Sequence, residues 1–359
     1  MTPNPVMAGS PADADDGKFM NGFVGRNSRV ALLPAAVAIL TLLSAHGHAQ
    51  TAASPSGVIW TVPEVGALPD DDYGRLVRRG RDLVTATYAH IGPDVSDPAK
   101  RYAGNNLACG DCHLDAGTKK FGLPIFGLYD EFPKYSARLG AEITIEERVN
   151  SCMTRSMNGR AMPIDAPEMQ ALVAYIKFLS TGVPPGQRIP GLGAGIIPEL
   201  DRAADPARGR TVYVAQCQGC HNTDGSGIRR SLPTTDLGYV VPPLWGPDSF
   251  NDGAGMNRLI TAANFMHSNM PQGADYLNPV LSTADAWDVA AFVVSQPRPN
   301  KQGLETDFPD LALKPVDTPY GPYLDGFSAE QHKYGPFGPI RAALARLRSE
   351  GIRPVSPRP

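Results

Sequence analysis

Four of the five cysteines in this 359-residue chain fall in two copies of one pattern. Cys109-Gly110-Asp111-Cys112-His113 and Cys217-Gln218-Gly219-Cys220-His221 both read C-x-x-C-H. Two thiols at this spacing can each form a thioether to a haem vinyl group, and the histidine that follows then lies over the iron. A single C-x-x-C could also be a redox dithiol or half of a zinc site. Two copies, each with its histidine, point instead to two covalently bound haem c groups. Cys109, Cys112, Cys217 and Cys220 are the attachment residues, and His113 and His221 the proximal iron ligands.

Iron in an electron carrier usually takes a second axial ligand. For the second motif the candidates are Met266, His267 and Met270. Met270 is preferred because it sits in "SNMPQG", where Pro271 stiffens the adjoining backbone. The first motif has no such methionine loop. It has the fifth cysteine, Cys152, 39 residues beyond His113. Met153, Met157 and Met162 are its rivals.

The residues around Cys152 help to choose. Thr144 and Glu147 fit a T-x-x-E capping box, which predicts a helix from there to about Asn158, ending at Gly159. On such a helix Arg148, Cys152 and Ser156 recur every four residues and share a face. Met153 and Met157 fall on a neighbouring face suited to core. A guanidinium beside a thiol favours the thiolate, the better iron ligand and the better nucleophile. The plain alternative is a buried cysteine serving as a small hydrophobe, with Arg148 solvated.

The elements that must position these residues come in pairs. "DYGRLVRRGRDLVTATY" (72–88) precedes the first motif and "PARGRTVYVAQ" (206–216) the second. Each half closes on an amphipathic helix, "APEMQALVAYIKFLS" (166–180) and "TADAWDVAAFVVSQ" (283–296). Leu172, Tyr175, Ile176 and Leu179 recur at helical spacing, as do Val289, Phe292 and Val293. A first helix, a C-x-x-C-H, a loop around the haem and a last helix crossing the first make the cytochrome c fold. The fold class is therefore mainly α, with two cytochrome c-type domains and an irregular C-terminal tail.

The expected boundaries are 1–49 for a signal peptide, 50–195 and 196–296 for the two domains, and 297–359 for the tail. The segment 181–200 is a Pro- and Gly-rich linker. "VPPLWG" (241–246) is expected to cover the second haem edge, with Trp245 in the wall. The tail should pack over the body and end in a short basic helix near 339–350. Arg26 and Arg29 before the apolar run 30–43, then small residues around Ala49, predict export to the periplasm. No other stretch is apolar enough to span a membrane. A net charge of −3 argues against nucleic-acid binding, because nothing neutralises phosphates. Lone His90 and His332 are expected to be structural.

With these residues in view, the chain resembles the dihaem c-type thiosulfate dehydrogenases of the TsdA type. The resemblance runs from "IGP" (91–93) and "RYAGNNLACGDCHLDAGT" (101–118) to "KPVDTPYGPYLDGFSAEQHKYGPFGPI" (314–340). Its most specific part is "RVNSCMTRSMNGRAMP" (148–163), with the cysteine inside. It implies that the first haem is catalytic, with His113 and Cys152 on iron, and that Arg138, Arg148 and Ser156 bind substrate. It further implies that Cys152 leaves the iron to carry one thiosulfate before a second attacks. Two thiosulfates would give tetrathionate and two electrons. The second haem, with His221 and Met270, would relay these to a soluble or membrane-attached cytochrome c. Some members carry a lysine before that methionine that exchanges with it; Asn269 stands here, so no such exchange is expected. Three rivals remain: a tetrathionate reductase using the same site, a plain dihaem electron carrier, or a peroxidase. In the last, a distal thiolate would be oxidised.

Overall fold

The computed structural model describes residues 60–184, 186, 189–230 and 237–352, all within one compact unit that begins at Ser54. The expected signal peptide lies outside the described residues. Among those residues seven helices reach nine residues or more: α1 (Asp72–Thr85), α2 (Ile145–Met153), α3 (Pro167–Leu179), α4 (Pro206–Gln216), α5 (Leu259–Asn269), α6 (Thr283–Ser295) and α7 (Gly338–Ser349). Sheet is confined to two short antiparallel pairs, Lys134–Ser136 with Ala141–Ile143 and Ile228–Arg229 with Tyr239–Val241.

The two halves repeat one arrangement. α1 packs on α3, and α4 packs on α6. Asp71 caps α1 by accepting from Gly74 N at 2.7 Å, and Asp205 caps α4 in the same way through Ala207 N. Each first helix carries a glycine at the crossing. A Cβ on Gly80 would lie 2.0 Å from the Ala171 carbonyl oxygen, and one on Gly209 would lie 1.8 Å from that of Asp288. Hydrogen in place of a methyl group therefore sets how closely each pair of axes can approach.

Each crossing seeds its own core. Val77, Leu83 and Val84 of α1 pack with Met169, Leu172, Tyr175 and Leu179 of α3. Tyr213 of α4 packs with Trp287, Val289 and Val293 of α6 and with Leu259 and Ala263 of α5. Trp245 is buried in this second core against Tyr213 and Phe292. The tail does pack over the body: Ile340 and Leu344 of α7 are fully enclosed in the second core, and Phe337 lies against Trp287.

One helix differs from expectation. α2 stops at Met153 rather than near Asn158. Beyond it the carbonyls that would continue the ladder are spent elsewhere. Asn251 donates its Nδ2 to Thr154 O at 3.0 Å and its backbone N to Arg155 O at 3.2 Å. The chain then folds back, with Gly159 N donating to Met153 O. A loop from the second half thus ends a helix of the first.

Further bonds close this seam. Asn105 Nδ2 donates to Ser156 O and Ser249 O, at 3.0 and 3.1 Å. Asn106 N donates to Asp248 Oδ1 at 2.9 Å. Beside the first motif, Phe121 stacks on Tyr276, and its carbonyl accepts from Asn269 Nδ2 at 2.9 Å.

Candidate active site

α2 is positioned by the expected capping box: Thr144 Oγ1 accepts from Glu147 N, and Glu147 Oε2 accepts from Thr144 N. Thr144 leads directly into the helix that carries Arg148 and Cys152. Both line a cleft enclosing about 990 Å³ of free space, its mouth included. Cys109, Cys112 and His113 line the same cleft, as do Ser156, Met153 and Met157. Ser156 reaches it from the turn after α2 and not from the helix. Met153 and Met157 are nearly fully buried and belong to the first core. Met162 is likewise buried there.

The donors in this cleft differ in protonation. Burial pushes the Cys109 thiol up to about 11 and the Cys112 thiol up to about 12. Burial pushes Cys152 up as well, but the Arg148 guanidinium and the His113 ring outweigh it and leave the thiol at about 6. Arg148 Nη1 donates to Cys152 Sγ at 3.0 Å. His113 is near enough to interact with Cys152 across the cleft. His113 Nδ1 is pinned on the Leu123 carbonyl at 2.5 Å, which leaves Nε2 for a metal. Two thiols kept protonated by burial, a pinned imidazole and a facing thiolate in an apolar cleft suit a covalently attached haem, which Cys109 and Cys112 would anchor and His113 and Cys152 would hold at the iron.

The second motif repeats the histidine device. His221 Nδ1 lies 3.0 Å from the Pro242 carbonyl. No cysteine among the described residues is in a disulfide, and burial raises Cys217 to about 11. Met266 is buried and belongs to the second core cluster. Met270 is half-buried at the C-terminal end of α5, one residue past Asn269. His267 Nδ1 is enclosed without a hydrogen-bond partner among the described residues, so it stays a competitor for that iron. His90 and His332 do have structural partners: Arg79 for the first, Val316 O and Asp325 for the second.

Arg138 is bonded into a cluster beside the cleft. Its Nη1 donates to Asp307 Oδ2 at 2.9 Å, to Tyr320 Oη at 3.1 Å and to Gly253 O at 3.2 Å. Arg155 Nη2 donates to the other Asp307 oxygen at 2.7 Å, and its Nη1 to Gly253 O. Arg155 precedes Ser156, and Gly253 lies between Phe250 and Met256, which both line the cleft. Asp307, Tyr320, Arg155, Phe250 and Met256 carry no motif or period that could have singled them out.

These features define a c-type cytochrome with two cytochrome c domains. Comparison with known proteins agrees: the SoxA/TsdA cytochrome c domain matches residues 99–184, and the cytochrome c domain matches residues 206–297. The thiosulfate dehydrogenase of Allochromatium vinosum is 42% identical over 270 residues, covering 74% of this chain and 93% of that one. That of Thiomonas intermedia is 40% identical, covering 69% and 74%. The solved thiosulfate dehydrogenase TsdBA of Marichromatium purpuratum matches with a TM-score of 0.60 at 33% identity, over 68% of this chain and 50% of that longer one. The chain belongs to the thiosulfate dehydrogenase family.

Proposed function

We propose that this protein oxidises two thiosulfate ions to tetrathionate in the periplasm and passes the electrons to a soluble or membrane-attached cytochrome c. No described helix is long and apolar enough to cross a membrane. In this reading 50–195 is the catalytic domain, 196–296 the relay and 297–359 an extension packed on both. His113 and Cys152 would hold the iron of the first haem, and His221 and Met270 that of the second. Bound at these sites, haem supplies the sink for the electrons released at sulfur and their way out to the acceptor.

The observation that carries the reading is Cys152, held as thiolate by Arg148 and facing His113. Arg148 lines the cleft and remains exposed, so the cleft opens to solvent on its side. Thiosulfate is a dianion, and guanidinium offers it paired donors. The Cys152 thiolate and one thiosulfate lose two electrons together and form a sulfur–sulfur bond. The second thiosulfate attacks the outer sulfur of that adduct, forms tetrathionate and returns Cys152 as thiolate. Arg138 and Arg148 offset the repulsion between the anions, and the Ser156 hydroxyl can donate to a sulfonate oxygen.

Purified holoprotein assayed with thiosulfate and ferricyanide tests this, with Cys152→Ala in parallel. The wild type is expected to turn over and the variant to be inactive. Equal rates would exclude Cys152 as the sulfur carrier, and an inactive wild type would favour a plain electron carrier.

A further inference from the structure

The three hydrogen bonds that Arg138 makes among the described residues all leave from Nη1. Nε and Nη2, the side-on pair of the guanidinium fork, have no protein acceptor there. The side chain is 19% exposed, and neither Nε nor Nη2 is among the fully enclosed polar atoms without a partner, so both stay within reach of solvent and solutes. A largely enclosed guanidinium edge that no protein acceptor takes can receive an anion. That edge matches two oxygens of a sulfonate group.

Apart from Gly253 O in the second domain, the groups that fix Arg138 come from the C-terminal extension. Asp307 is buried, and each of its oxygens takes a different arginine, Arg138 or Arg155. Tyr320 Oη lies 2.7 Å from Asp307 Oδ2 and 3.1 Å from Arg138 Nη1, closing a triangle. Phe308 N donates to the Arg138 carbonyl at 2.8 Å, and its ring lies under the guanidinium at 5.2 Å. Backbone and side chain of Arg138 are therefore both held by the segment 307–320, with Gly253 O adding one further acceptor.

We infer that Asp307, with Tyr320, is the positioning residue of the thiosulfate site: it holds Arg138 by Nη1 so that Nε and Nη2 face the anion. This deepens the function proposed above and rests on it. The extension is then part of the active site. Asp307 is itself an anion, so charge and positioning predict opposite effects of its removal. By charge alone, Asp307→Asn makes the surroundings more positive and tightens thiosulfate binding. By positioning, it loosens Arg138 and weakens binding.

The test compares wild-type, Asp307→Asn and Tyr320→Phe holoproteins, each checked for haem content and thermal unfolding. Expected for Asp307→Asn is a KM for thiosulfate raised about tenfold with kcat little changed, the pattern of lost binding. Tyr320→Phe is expected to shift KM the same way by less. Calorimetric binding of thiosulfate to protein reduced with titanium(III) citrate, where no electron can be accepted, should weaken by the same factor. An active wild type with KM and binding unchanged or improved in Asp307→Asn overturns the positioning role alone. A wild type that neither turns over nor binds thiosulfate overturns both readings. If Asp307→Asn fails to load haem, Tyr320→Phe decides: an unchanged KM overturns the role, a raised KM supports it.

Discussion

Arg148 Nη1 stands 3.0 Å from Cys152 Sγ, one turn away on the same helix. The effect is mutual: the cysteine raises the arginine, and the arginine lowers the cysteine. Without that cation only the His113 ring would oppose burial, which favours the neutral thiol, a weak ligand and a weak nucleophile. Arg148→Ala is expected to lower kcat/KM for thiosulfate by roughly 10- to 100-fold, the worth of one charge-assisted hydrogen bond. Arg148→Lys should recover part of it, since it restores charge but not the planar fork. Steady-state assays check both; an unimpaired alanine variant would remove Arg148 from the site.

The sixth ligand of the second haem is decided by a pair of variants. Methionine on iron raises the potential relative to stronger donors. Met270→His is expected to lower the second haem's potential and abolish the methionine-to-iron charge-transfer band. His267→Ala should leave both unchanged. Redox titration followed by absorbance separates the two; a band that persists in Met270→His would shift the assignment away from Met270.

The crossing glycines make a prediction about sign. Glycine to alanine in an exposed helix stabilises by about 1 kcal/mol. At Gly80 and Gly209 a methyl group would meet a carbonyl oxygen of the partner helix at 2.0 and 1.8 Å. Gly80→Ala and Gly209→Ala are each expected to destabilise by roughly 1–3 kcal/mol, the usual effect of overpacking. Denaturant unfolding of the holoprotein measures this, and a gain in stability would show that the helices can slide apart at no cost.

Lys314 gives the tail a pH dependence. It is buried, donates to Pro322 O at 2.9 Å and lies near the rings of Phe308, Tyr320 and Tyr323. Burial holds its ammonium below the ordinary 10.5, at about 8. Between those values the unfolded chain binds more protons than the folded one, so this group's contribution to stability rises with pH. Relative to Lys314→Met, the wild type should gain stability from about pH 8 upward to 10.5. Urea midpoints across that range check it; a flat difference would mean that Lys314 keeps its ordinary affinity for protons.

Much of this molecule could be read from local pattern. Both C-x-x-C-H motifs, the paired helices before and after them, the capping box at Thr144 and the Arg148–Cys152 spacing all depend on residues close in the chain. The end of α2 did not, because it is set by Asn251, nearly a hundred residues away. Arg138 was picked out by family resemblance. Its partners Asp307 and Tyr320 lie 169 and 182 residues on, and no periodicity links positions so far apart. Gly80 and Gly209 were equally silent, since a helical glycine gives no sign of the carbonyl it faces.

The loop carrying Phe250 and Met256 also has an architectural consequence. In a single-haem carrier the corresponding stretch would be free to meet solvent or a redox partner. Here it has become an inside wall, completing a chamber whose metal-binding motif belongs to the other half. Such a protein cannot be divided into two working cytochromes. Cut between the halves, the first would lose one side of its chamber and the stop of its cysteine helix, and the second would expose a surface shaped only to be covered. The two halves repeat one arrangement, yet they are not separable copies: one carries the C-x-x-C-H motif and Cys152 of the cleft, the other part of its wall.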